Sequence, residues 1–365
     1  MRASAVLSCL ALTAGAVLVA APAEADGPPP ACGSTVLAST TLRSDLTCPA
    51  PGPALTLAAG VDLNLGGHTL RGPGSGLGIA IPVAGDITIR NGTIAGWGQG
   101  VQTVGTDDGG ASGVVTVRNV TFDGNTDGLD ASGDIPAGHY GKQHVVTRST
   151  FSHNARGILA GWFTHVDVSR TSFAGNGTAL VVDSSDVTVD DSRIEQNTNG
   201  VTVIEGTVQL RRTDLLQNDR AVSAQFMSST TLTDSLVKGS DVGVSGFGLT
   251  FFTLTGSTFA ANTTAVSFDG SDGTVSGNTF RSNGTGFEQT SPSTDGVRVQ
   301  DNVFRLGGDG IRIDAGDTQT SVGGNAANNN TGWGIYAPGV TDLGGNTARR
   351  NGNSPQCVGV VCPAS

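Results

Sequence analysis

Four of the five histidines in this chain, His139, His144, His153 and His165, fall within a single stretch of 27 residues. Tyr140, Lys142 and Trp162 share that stretch, with Trp97 and the acidic residues Asp107, Asp108, Asp127, Asp130 and Asp134 close before or inside it. Only one other Tyr and one other Lys exist in the sequence, so the gathering is a concentration of rare side chains. A carboxylate with a His or Lys base beside aromatic rings has the parts needed for general acid/base work on a sugar polymer. The candidate catalytic residues are therefore Asp130, Asp134, His139 and His144. The candidate substrate-binding residues are Trp97, Tyr140, Lys142, Trp162 and His165. The same groups could ligate a metal, Asp oxygens favouring calcium and paired His favouring zinc or copper. No ligand-spacing motif is present, so no metal site is assigned, no cofactor is expected, and calcium is left open. A polar loop with incidental histidines accounts for the cluster without any chemistry, and is the simpler reading.

What positions these residues is a repeat. The phrase from Val115 to Leu129 alternates apolar and polar residues over Val115 and Val117, places Phe122 five residues on, Asn125 three further, and closes on Gly128-Leu129. Aligned on Phe122, later and earlier copies give Ile94, Phe151, Phe173, Ile194, Leu215, Val237, Phe259, Phe280, Phe304, Ala327 and Ala348. From Phe151 onward the spacing is 21 to 24 residues. A fixed period near 22 is the signature of a solenoid. A coil of that length is too short for a helical crossover, so consecutive coils must pair directly as parallel strands about 4.8 Å apart, wound right-handedly.

Two spacings are longer, 28 and 29, and place insertions at 105–113 and 132–144. Loops beyond what a scaffold needs are where function tends to be built, and these two hold the histidine cluster. His144 and His165 occupy nearly the same phase of successive coils, which predicts a separation of about 5 Å. Two columns of Asn, one running Asn125, Asn154, Asn176, Asn197, Asn218, Asn262 and Asn283 and the other Asn278, Asn302, Asn325 and Asn346, predict amide ladders. A sugar-binding Asn row is the less favoured alternative. An acidic ridge at Asp183, Asp186, Asp190, Asp191 and Glu195 borders Arg170, Arg211 and Arg212, which compensate its charge across strands.

With 55 Gly, 14% charged and 37% apolar residues, the chain is too apolar for disorder and too Gly-rich for helices. Its net charge of −11 argues against nucleic acid or an anionic membrane as partner. Arg2, the apolar run to Ala21 and Ala23-Glu24-Ala25 read as a secretory signal peptide over 1–25, and no later stretch is apolar enough to span a bilayer. Four cysteines then remain, in two local pairs, Cys32 with Cys48 and Cys357 with Cys362. An exported chain with an even count predicts disulfides that staple the solenoid's ends. The segments expected are an N-terminal cap at 26–60, the solenoid at 61–352 and a C-terminal cap at 353–365, in a secreted monomer.

The segment Asp62-Leu-Asn-Leu-Gly-Gly-His-Thr-Leu70, followed by the twelvefold phrase, resembles bacterial secreted proteins with parallel β-helix repeats, in the superfamily that includes the pectate lyases. The resemblance covers roughly 55–352. It implies an all-β fold, a right-handed single-stranded parallel β-helix of about twelve coils. That architecture hosts lyases, hydrolases, epimerases, phage tailspikes and non-catalytic surface proteins, so function does not follow from it. Polygalacturonase-like members combine Asn-x-Asp, Asp-Asp, Gly-His-Gly and Arg-x-Lys. Here Asp107-Asp108, Asp190-Asp191 and Gly138-His139-Tyr140 are partial matches, and Arg-x-Lys is missing. Lyase members use an Arg or Lys base with acidic calcium ligands, and Lys142 and Lys238 are the only lysines. The reading that results is a non-catalytic extracellular module binding cell-wall or environmental polysaccharide. The alternative is a carbohydrate-active enzyme, lyase or glycoside hydrolase, with its site in the 105–165 region.

Overall fold

A computed structural model describes residues 29–82, 85–103, 113–132, 143–314 and 316–363. Among them every regular element is a strand, and every pairing is parallel between one coil and the next. Fifteen strands, from Ser34–Val36 to Cys357–Val358, form one long sheet, which makes a solenoid of about fourteen turns. The remaining strands form two further ladders. These meet at a corner where each coil sets one residue in the left-handed region: Asn91, Asn119, Arg148, Arg170, Asp191 and Arg212 all have φ between 46° and 59°. In the coils of Ile87–Ala95 and Val114–Asp123 the strand runs unbroken through that corner.

The register is the one the apolar column predicts. Phe122 pairs with Ile94 and Phe151, Phe151 with Phe173, and the pairing continues to Ala327 and Ala348. It also extends upstream through Leu70 and Leu46, so parallel pairing already begins inside the stretch assigned to the N-terminal cap. Because successive side chains point to opposite faces, each strand buries every second residue. Those columns stack in direct contact: the rings of Phe122, Phe151 and Phe173 lie nearly parallel with centroids 4.6 and 4.9 Å apart, and Phe259, Phe280 and Phe304 repeat this at 4.8 and 4.5 Å. No coil could hold its few apolar side chains from water alone; stacking supplies the burial.

Both amide ladders form. In the run Asn125, Asn154, Asn176 and Asn197 each Nδ2 donates to the next coil's Oδ1 at 2.9–3.0 Å, ending on Asn218, and Asn278, Asn302 and Asn325 do the same at 3.1–3.2 Å, ending on Asn346. The first ladder also reaches Asn330 and Asn351 beyond the predicted column. Both predicted disulfides are present, with Cα separations of 5.6 Å for Cys32–Cys48 and 6.2 Å for Cys357–Cys362.

One polar cluster near the C-terminal end carries a pH prediction. The buried Asp317 carboxylate accepts from Gln289 Nε2 at 2.8 Å, from the Ser293 amide and hydroxyl, from the Thr320 hydroxyl and from the Gln319 amide. Burial alone would raise its pKa; the donors, the Ser293 hydroxyl foremost, outweigh it and bring the group down to about 2. A carboxyl depressed on folding adds stability that is complete above its unfolded pKa and is lost as pH falls through the folded value. The expected contribution is about 2 kcal/mol. Urea midpoints measured from pH 5 to pH 2 should fall across this window, and Asp317→Asn should lower the neutral-pH midpoint while flattening part of that fall.

Candidate functional site

The site region is built on three neighbouring strands of the long sheet, Gln99–Thr103, Asp127–Asp130 and Arg156–Gly161. Their inward residues are Val101 with Thr103, Leu129 with Ala131, and Ile158 with Ala160. Alternation sends Gln102, Asp130 and Leu159, which are in register, to the outer face. Gln99, Asp127 and Arg156 form a second outer row. Asp127 is 4% exposed and forms a two-pronged ion pair with Arg156, Nε to Oδ1 at 2.5 Å and Nη2 to Oδ2 at 2.9 Å. The hydrogen bond from Arg156 to Asp127 raises the guanidinium pKa against burial, with the charges of Asp127 and Asp130 adding to it. Asp130, 6% exposed, accepts from Gln99 Nε2 at 2.8 Å and from the Ser132 amide at 3.1 Å. The result is a polar strip in which carboxylate, amide and guanidinium groups already satisfy one another.

The other predicted site residues separate. His144 pairs in register with Val115 and Val166, takes their inward position and is fully buried, with its Nε2 3.2 Å from Thr103 Oγ1 inside the solenoid. His165 stands one residue out of phase, opposite Gln143, so its ring leaves the strand on the outer side, 3.3 Å from Asp167. A one-residue offset reverses the face, so the two imidazoles do not form the neighbouring pair their spacing suggested. Trp97 is 1% exposed, donating from Nε1 to the Leu70 carbonyl at 3.2 Å. A Cβ on Gly72 or Gly78 would strike its ring, so those glycines make room for it; it is a core residue and offers no platform to a ligand. Trp162 is 42% exposed on a left-handed turn. Asp134, His139, Tyr140 and Lys142, with Asp107 and Asp108, lie outside the described residues.

Three other surfaces stand out. The acidic ridge is compensated as expected, Arg212 bridging Asp190 and Asp191; its hydrogen bond lowers the exposed Asp191 carboxyl. An apolar edge carries Phe226, Met227, Phe247, Leu249 and Phe251, each more than half exposed. The third, which sequence reasoning missed, is a shallow cavity of about 430 Å³ on the outer face of the long sheet, lined by Asp309, Arg312, Asp314, Trp333, Tyr336 and Asn353. Its signal was available: Trp333 and Tyr336 are the one Trp downstream of the cluster and the one Tyr outside it, three residues apart. Among the described residues no three His, Cys, Asp or Glu side chains converge as metal ligands. No described helix is long and apolar enough to cross a membrane.

The sequence matches the family described as right handed beta helix region over residues 77–223 and 206–351. The chain belongs to this family. Among solved structures, this right-handed β-helix protein is similar to the A-module of the Azotobacter vinelandii mannuronan C-5 epimerase AlgE6, at 14% identity and a TM-score of 0.50, over 90% of this chain and 91% of that one. The AlgE4 A-module from the same organism matches at 14% identity and a TM-score of 0.37, over 88% and 90% of the two chains. Tailspike protein 3 of bacteriophage CBA120 matches at 12% identity and 0.30, over 84% of this chain and 57% of that one. No curated protein sequence matches the β-helix chain. At 14% identity the likeness to the AlgE6 A-module is one of fold.

Proposed function

We propose that this protein is a secreted, monomeric module that binds cell-wall or environmental polysaccharide along the outer face of its fifteen-strand sheet and does no chemistry on it. One observation carries the reading. Gln99, Gln102, Asp127, Asp130 and Arg156 lay a hydrogen-bonding strip across three successive strands, while His144, on the adjoining part of the coil, points into the core. Among the described residues these three strands carry no His or Lys, and their two carboxylates are held by Gln99, Ser132 and Arg156, an arrangement that suits recognition of hydroxyls better than proton transfer. The paired cysteines and the leader-like first 25 residues support export. The epimerase A-module, which shares the fold, is named for a polysaccharide substrate, and the reading takes from it only that ligand class.

The second reading, a lyase or glycoside hydrolase using Asp130, Asp134 and His139 in the 105–165 region, is favoured by the burial of two carboxylates, Asp127 and Asp130, on one short strand. A panel of neutral and anionic polysaccharides separates the two. Binding predicts saturable retention with neither new reducing ends nor unsaturated products. Turnover by the wild type that disappears in Asp130→Asn and His139→Ala establishes the enzyme instead.

A further inference from the structure

The cavity at the far end of the long sheet is an ordered site. Trp333 and Tyr336 stand with ring centroids 5.1 Å apart, tilted by 40°, and both are partly exposed. The turn carrying Trp333 is pinned by its own amide, which donates to Asp309 Oδ1 at 2.6 Å. Gly332 permits this approach, since a Cβ there would sit 2.1 Å from the same oxygen. Arg312 is directly in register with Tyr336 on one side and Glu288 on the other, so three outward side chains follow one another at about 4.8 Å per coil. The guanidinium is aimed by Asp314, Nε to Oδ2 at 2.8 Å, with Asp309 Oδ2 at 4.0 Å. Asp309 keeps only 18% of its side chain exposed, whereas Arg312 and Asp314 keep about half.

These parts have a specific chemistry. Aromatic faces take the C–H face of a sugar ring, and carboxylates beside a fixed guanidinium accept from and donate to neighbouring hydroxyls. Charge then narrows the class: Asp309, Asp314 and Glu288 oppose a single Arg312, leaving an excess of two negative charges on a chain that is already −11. A polyuronate or sulfated glycan would meet repulsion from both. We infer that Trp333, Tyr336, Asp309, Arg312 and Asp314 form a binding subsite for an uncharged pyranose unit of a neutral glycan. The inference rests on the polysaccharide-binding reading and specifies it. Seven coil spacings separate the strand of Arg312 from that of Arg156, about 34 Å along the same face, so one extended chain could touch both.

The test titrates the full-length mature protein with neutral cello-, xylo- and manno-oligosaccharides and with oligogalacturonate and oligomannuronate, by calorimetry and by Trp fluorescence. At least one neutral series should bind, Trp333→Ala should weaken it by about tenfold or more, and Trp333→Phe should retain most of it. Acidic oligomers should bind about tenfold more weakly at low salt, the gap closing as salt screens the carboxylates. Should Trp333→Ala fail to melt like wild type, Arg312→Ala, on an exposed side chain, must show the same loss. Unchanged affinity in these variants, for a glycan the wild type does bind, overturns the subsite and leaves the polysaccharide reading standing. Tighter binding of the acidic oligomers overturns the neutral-sugar assignment. Binding of no glycan by the wild type sinks both.

Discussion

Phe173→Asp abolishes cooperative folding of the middle of the solenoid. Phe173 is fully buried, stacked on Phe151 at 4.9 Å and paired in register with Phe151 and Ile194. Truncation to Ala alone should cost about 3–5 kcal/mol through lost transfer energy and the cavity left between the two neighbouring coils. Asp adds an unpaired charge in a site with no donor to receive it, a far larger penalty than marginal domain stability tolerates. Each coil is supported only by its neighbours, so a failed coil separates the two halves of the stack. Thermal melts followed by far-UV dichroism should show a lowered single transition for Phe173→Ala and loss or splitting of the transition for Phe173→Asp. An unchanged melting temperature in the Asp variant would mean that the Phe column does not face the interior.

The second large effect is expected from the amide ladder. Asn176 Nδ2 donates to Asn197 Oδ1 at 2.9 Å and to the Phe151 carbonyl at 3.0 Å, while its Oδ1 accepts the Asn154 amide and Asn154 Nδ2, both at 3.0 Å. Asn176→Ala strands two buried donors on Asn154 and the Phe151 carbonyl, and each such group costs about 1–3 kcal/mol. A total of several kcal/mol follows, comparable with the loss of a core Phe. Asn176→Asp keeps the acceptor but replaces the Nδ2 amino group and its two donor hydrogens with an oxygen of a negative carboxylate facing Asn197 Oδ1 and the Phe151 carbonyl, so it should be no better at neutral pH. Asn199, whose one side-chain hydrogen bond among the described residues is a 3.5 Å contact to Thr178, is the internal control and should lose about 0.5 kcal/mol or less on change to Ala. Urea denaturation of the three variants decides the matter. Equal small losses for Asn176 and Asn199 would remove the ladder from the account of stability.

The fold was legible because its determinants are local and repeated. A period near 22, an inward Phe and an Asn at a fixed offset specify strand, turn and register together, and the structure adds no competing element among the described residues. The coils containing Leu46 and Leu70 escaped the alignment because their strands are only two or three residues long and interrupted by Pro and Gly. The first Asn ladder was cut short at Asn283 because Gly307 fills the next slot. Its amide donates to Asn330 Oδ1, but it has no side chain to show the column in the sequence.

The site was less legible, for a physical reason. Spacing gives the coil and the approximate phase, but the face depends on parity, and one residue of offset puts His144 in the core and His165 outside. Trp97 is equally misleading: its burial is decided by Gly72 and Gly78, which leave space that no local pattern announces. Trp333 and Tyr336 are not marked by the repeat because they sit in the last coils, where the core column shrinks to Ala327 and Ala348, away from the two insertions. Their conjunction with Asp309 and Arg312 exists only once coils are stacked.

The central claim, that the outer face of the long sheet is where a glycan lies, is tested most directly by oxidative footprinting of the mature protein with and without a polysaccharide it retains. Glycan on that face should shield Trp333, Tyr336 and Leu159 from hydroxyl radicals and leave Met227 and Phe251, which lie off that sheet, oxidising at their free rates. Shielding of the apolar edge with Trp333, Tyr336 and Leu159 unchanged would contradict it.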